Sequence, residues 1–193
     1  MMTAYIDRMK GKTFKKVDFM AYEGKYDNSI RELMTKAPNS IDVETMRAHL
    51  YGFTFTPEYA MMDFPDELSM DYWSDRFEEG VSELKRAGVC TIFEKRQEGD
   101  SVPVMTSFYD VVMPQEELIL RTIDSTGNGL TPETALCVIN VCQEYEYMRR
   151  VMPFSKLQMV KQTICNGIDC ISFAHNIYGV EKLYFDIHRR FIS

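Results

Sequence analysis

No stretch of this sequence approaches the roughly 20 apolar residues needed to cross a bilayer. The first ten residues, Met1 to Lys10, contain no apolar core of the kind an export signal carries. The expectation is a soluble cytoplasmic protein, or one from the cell envelope whose leader has been removed. Positive charge is also in deficit. There are 22 Lys and Arg against 29 Asp and Glu, a net charge of -7. Nucleic-acid binding rests on neutralising phosphates, so it is not expected here. The basic cluster Lys10, Lys12, Lys15 and Lys16 is short and lies between acidic Asp7 and Asp18, and reads as a solvated face.

Recognisable chemistry is scarce as well. Only three His and one Trp are present. No serine sits in a nucleophile elbow, and no cysteine has a cue for activation. The one glycine-rich segment, Asp124-Ser-Thr-Gly-Asn-Gly129, lacks the Gly-Lys-Ser/Thr ending of a phosphate loop. As a calcium loop it would put Thr126, Asn128 and Ala135 where acidic ligands belong. An aspartic-protease reading is broken by one extra residue. A helix C-cap and turn remains, with Gly127 and Gly129 supplying positive φ and Asp124 and Asn128 bonding local backbone.

Five cysteines are too few and too odd for a disulfide scaffold in a chain of 193 residues. Cys137/Cys142 and Cys165/Cys170 share a C-x4-C spacing, but that spacing gives opposite faces of one strand or a diagonal across a hairpin. No metal and no cofactor is expected. All five, Cys90 included, read as reduced, buried thiols.

What is present is an ordinary globular composition, 45% hydrophobic and 26% charged. Ile6–Met9 and Ile30–Met34 fit short helices, with Asn28 or Ser29 as N-cap for the second. Asp42 caps a helix to Leu50, with Val43, Met46, His49 and Leu50 on one stripe and Gly52 as its left-handed end. His49 reads as structural. Trp73, Phe77, Val81 and Leu84 recur at helical spacing after Asp66. Pro114 suits the first turn of a helix from Gln115 to Asp124 that buries Leu118, Ile119, Thr122 and Ile123.

The last third turns to strands. Thr134–Val141 is apolar on both faces, and a short helix over Gln143–Arg150 follows. Asn166-Gly167 between two apolar runs is a strong hairpin signal. It pairs Cys165 with Ile168, Thr163 with Cys170, Gln162 with Ile171 and Val160 with Phe173. A further strand covers Glu181–Ile187. The fold class is α+β. A mainly helical part, 1–123, precedes a small α+β part, 124–193, with an antiparallel sheet of about four strands; the two could also share one core.

Two sets of residues are candidates for function. Glu144, Asp169 and His175, with Asp186, are the titratable groups concentrated on the sheet. The register sets Gln158 opposite His175, on the face of Asp169. A carboxylate near a histidine is the minimum of an acid–base site, which gives the hydrolase reading. The strip Tyr51, Phe53, Phe55 and Tyr59 is the second set, a candidate ligand surface or a seal over the core.

Several segments carry a resemblance. Ile123-Asp-Ser-Thr-Gly-Asn-Gly129, Thr131-Pro-Glu-Thr-Ala135, Val138-Ile139, Glu144-Tyr145, Gln158, Asp169 and Leu183-Tyr-Phe-Asp-Ile187 resemble the C-terminal part of a Bacteroidetes domain-of-unknown-function family (number 4919). Leu50-Tyr-Gly-Phe53 with Pro57-Glu-Tyr59 resembles its N-terminal signature. The resemblance implies helical hairpins similar to tetratricopeptide units ahead of a small α+β part, and a helix over Ser101–Val112. It carries no catalytic residue. With 12 Phe, 11 Tyr and 14 Met available for adaptable surfaces, the expectation is a non-enzymatic protein-interaction module. Its acidic balance suits a basic partner.

Overall fold

The computed structural model describes residues 4–36, 40–60, 109–152 and 157–191. The helix expected after Asp66, most of the 89–112 segment and Cys90 lie outside them.

The N-terminal region is helical. Helix α1 spans Ala4–Met9, α2 Tyr26–Thr35, α3 Val43–Phe53 and α4 Pro57–Ala60. Helix α2 starts earlier than its polar residues suggested. Gly24, at φ 70°, turns the chain into it, so neither Asn28 nor Ser29 is the cap. Ser29 instead lies inside the helix, its hydroxyl against Nδ1 of His49 at 3.1 Å. Asp42 does cap α3: its carboxylate accepts the Thr45 N–H at 2.7 Å. Gly52 is not the left-handed stop expected of it. It lies within α3, and a Cβ there would stand 3.0 Å from the Tyr26 nitrogen. Glycine is needed because the start of α2 presses on α3.

Helix α5, Tyr109–Asp124, runs through Pro114 rather than starting at it. The missing N–H costs one hydrogen bond inside the helix. Leu118, Ile119, Thr122 and Ile123 are buried as the periodicity required. Residues 135–140 are buried throughout, but only Leu136–Cys137 form a strand, β1. The expected strand to Val141 ends early because Asn140 already caps helix α6, Val141–Val151, accepting the Gln143 N–H at 2.9 Å. Continuous apolarity reported burial there, not strand length.

Strands β2 (Met159–Cys165), β3 (Ile168–Phe173) and β4 (Lys182–Asp186) complete a four-stranded sheet in the order β1-β4-β3-β2. It is mixed, not antiparallel, since β1 runs parallel to β4. Asn166 and Gly167 take φ 49° and 72° in the hairpin turn. Cys165–Ile168, Thr163–Cys170 and Gln162–Ile171 pair as the turn dictates. A bulge then intervenes, so Met159 rather than Val160 pairs with Phe173, and the Gln158–His175 pairing is lost. Asp169, Ile171 and Phe173 face inward, as do Leu183 and Phe185; the other face is half exposed.

One hydrophobic core runs from Tyr5 and Leu50 through Ile119 and Ile139 to Leu183 and Phe185. Bonds cross from the helical segment to the sheet. The Tyr51 hydroxyl donates to the Cys137 carbonyl at 3.2 Å, and that of Tyr59 to the Ile139 carbonyl at 2.6 Å. Among the described residues no helix is long and apolar enough to cross a membrane.

Candidate functional site

The sheet brings two of the three acid–base candidates together. Asp169 comes from β3 and Glu144 from the first turns of α6, and both are fully buried. Gln162 on β2 donates its amide N–H to Asp169, and accepts the Tyr145 hydroxyl at 2.6 Å. Among the described residues, neither oxygen of Glu144 nor Oδ1 of Asp169 meets any other donor. Two carboxyls buried near each other disfavour one another's ionised form. Burial, reinforced by the charge of Asp169, pushes the Glu144 carboxyl well up; burial also raises Asp169.

His175 does not join this pair. It is exposed in the segment after β3. Asp169 to Phe173 alone is about 13 Å of strand, and His175 lies two residues beyond. Asp186 is occupied at the sheet end, accepting the His188 N–H at 3.0 Å. The arrangement therefore favours the neutral form of Glu144, in a place closed to solvent.

A pH dependence follows. Both carboxyl groups are raised above their unfolded values, so their contribution to stability is present in full below about pH 4 and lost as pH rises through the folded values. Glu144→Gln removes the cost, at pH above the ordinary carboxyl value, of burying a group that is ionised when the chain is unfolded. We expect it to be more stable than the native chain at pH 8, by on the order of 1–3 kcal/mol, and to lose this advantage at pH 4. Urea unfolding at the two pH values checks it.

The aromatic candidates are mostly inside. Tyr51 and Phe53 are buried, and Tyr59 packs edge-on against Phe53 with ring centres 5.8 Å apart. Phe55 is half buried beneath the Arg189 guanidinium, 4.3 Å from its ring centre. No open face is left on Tyr51 or Phe53 for a planar ligand. The thiols are less uniform than expected. Cys137 is buried, but Cys165, at the tip of the hairpin, is exposed. No metal-binding group of His, Cys, Asp and Glu exists among the described residues.

Two features were not foreseen. One is Asp124, read as a turn residue but buried among Arg8, Lys12 and Tyr147. The other is the outer side of β2. Among the described residues no strand pairs with that edge. Met159, Val160 and Ile164 are 40, 65 and 51% exposed. The signal lay in the hairpin itself, whose first strand is as apolar as its second but had no assigned neighbour.

Residues 102–192 match the model of a domain of unknown function, DUF4919. The matched segment holds α5, the sheet, the carboxyl pair and the β2 edge. No curated protein and no solved structure matches the chain.

Proposed function

We propose that this chain is a non-enzymatic interaction module that takes an extended segment of a partner along the outer edge of β2. One observation carries the reading. A seven-residue strand ends the sheet with apolar Val160 and Ile164 in solvent and, among the described residues, with no strand paired to its outer edge. Exposed, flat, apolar edges are hazardous, and proteins that have no use for them blunt them with charge or proline. β2 carries one charge, Lys161, and no proline. Strand addition would draw affinity from main-chain bonds and specificity from alternate side chains. The consecutive helices α2 and α3 pack together, in keeping with the helical-hairpin character of the first part. A helical part and an α+β part joined through one core is the organisation we favour.

The test is direct. Val160→Lys/Ile164→Lys changes two side chains that are 65 and 51% exposed, and although Ile164 is paired with Asp169 on the inner face, its exposure keeps the expected fall in thermal midpoint small, while partner capture falls by about tenfold or more, roughly 1.4 kcal/mol. Undiminished capture would remove the reading. The carboxyl pair favours a second one, acid–base hydrolysis by Glu144 and Asp169 without His175, opened by a conformational change. It predicts turnover that Asp169→Asn abolishes.

A further inference from the structure

The edge of β2 has a sequence that complements itself. In a two-residue hairpin the last pair before the turn, Cys165 with Ile168, exchanges both backbone hydrogen bonds. Alternate residues then bond inward, so Thr163 and Lys161 face β3. The N–H and C=O groups of Gln162 and Ile164 point off the sheet.

A second copy, added antiparallel, must place its two-fold axis on this edge. Centred on Gln162, the axis sets Lys161 opposite Thr163 and brings Val160, at the bulge, against Ile164, twice each. The most exposed apolar residues of the strand meet each other, and its one charge meets a hydroxyl. An axis at Lys161 would oppose two ammonium groups, which is destabilising. An axis at Thr163 would set Ile164 against Gln162 and leave Val160 without a partner. The bulge lies at one end and leaves Lys161 to Cys165 in regular pairing. β2 has no acidic residue, so the charge of -7 on each chain is not concentrated at the contact. No basic partner is needed to neutralise it there.

We infer that the occupant of the β2 edge is a second copy of this chain, paired antiparallel about Gln162 so that two four-stranded sheets become one. The inference rests on the strand-addition reading above and names its partner. The axis stands perpendicular to the sheet, so both copies of α6 lie on the same side. The contact is isologous and closed, which limits growth beyond a dimer.

The register makes the test specific. Lys161 and Thr163, both in the regular part of β2, form a non-hydrogen-bonded pair across the axis, the closer kind, with Cα atoms about 4.5 Å apart. That separation lies within the range a disulfide spans. Full-length chain carrying Lys161→Cys, Thr163→Cys and Cys165→Ser, treated with diamide, is expected to form a covalent dimer linked from position 161 of one copy to position 163 of the other. Cys165→Ser alone is expected not to give it, nor is Gln158→Cys in that background. Sedimentation of the native chain from micromolar to millimolar concentration is expected to show a dimer, and Val160→Lys/Ile164→Lys to remain monomeric. A native chain that stays monomeric and does not cross-link overturns the self-pairing. In that event, loss of partner capture in the lysine variant still upholds strand addition to another protein. A dimer that both lysines leave intact overturns the self-pairing at this edge, and capture they leave intact removes the strand-addition reading.

Discussion

Replacing Asp124 with asparagine is expected to cost about 2–4 kcal/mol of folding stability. Asp124 is 1% exposed. Its Oδ2 takes Arg8 and Lys12, each at 2.7 Å, and its Oδ1 accepts the Tyr147 hydroxyl at 2.6 Å. Asparagine keeps the shape and the tyrosine bond but leaves two cations facing a neutral amide. A fully buried pair broken this way loses about 3–5 kcal/mol. Here the Arg8 and Lys12 side chains keep 28 and 34% of their surface in water, which softens the loss. Burial works against the Arg8 charge, yet the nearby carboxylate outweighs it and raises that guanidinium; the raised value is a sign that the pairing is net favourable. Urea unfolding at neutral pH checks the figure. A loss under about 0.5 kcal/mol would mean that solvent screens the cluster as it does a surface pair.

That cluster also shows where sequence reading stops. Asp124 follows a helix and precedes Gly127 and Gly129, so a local turn role accounts for it completely within its neighbours. Its real partners, Arg8 and Lys12, come from more than 100 residues earlier, and no local pattern encodes them. Gly127 makes the same point. It has no positive φ, unlike Gly129 at 67°. A Cβ on it would lie 2.2 Å from the Thr134 carbonyl oxygen. The glycine was legible, and its reason, a close approach of two chain segments, was not.

The sheet was legible where local chemistry sets it. Asn166-Gly167 admits positive φ at both positions, which fixes three cross-strand pairs without reference to anything else. It fails at Val160, because a bulge inserts one residue and leaves no trace in alternation. His175 was lost from the site for that reason, together with the exit of the chain from β3 after Phe173. Glu144 and Asp169 stand out in sequence because a carboxyl amid apolar strand and helix residues is conspicuous. The Gln162 bonds to Asp169 and Tyr145 needed the helix to be laid across the sheet, which is a tertiary fact.

Arg47→Met is expected to cost about 3 kcal/mol or more, because it releases a loop rather than a single bond. Arg47 is 2% exposed. One guanidinium nitrogen, Nη2, donates to the Lys15 carbonyl at 2.8 Å, the Ser125 carbonyl at 3.0 Å and the Ser125 hydroxyl at 2.9 Å. Methionine fills much of the volume and donates nothing, so the Lys15 carbonyl loses this donor and the Ser125 carbonyl is left with the Lys15 N–H alone. Lysine keeps the charge but lacks the planar fork, and Arg47→Lys is expected to recover about half. The Lys15 N–H returns to the Ser125 carbonyl at 2.9 Å, and Lys12 three residues earlier holds Asp124. Arg47 and Asp124 thus fasten the same segment to the end of α5 from two sides. Once one fastening is lost, the segment has less left to lose. Combining Arg47→Met with Asp124→Asn is therefore expected to cost less than the two losses added, by on the order of 1 kcal/mol. Additive losses in that double-mutant cycle would show that the two groups act on separate parts of the fold.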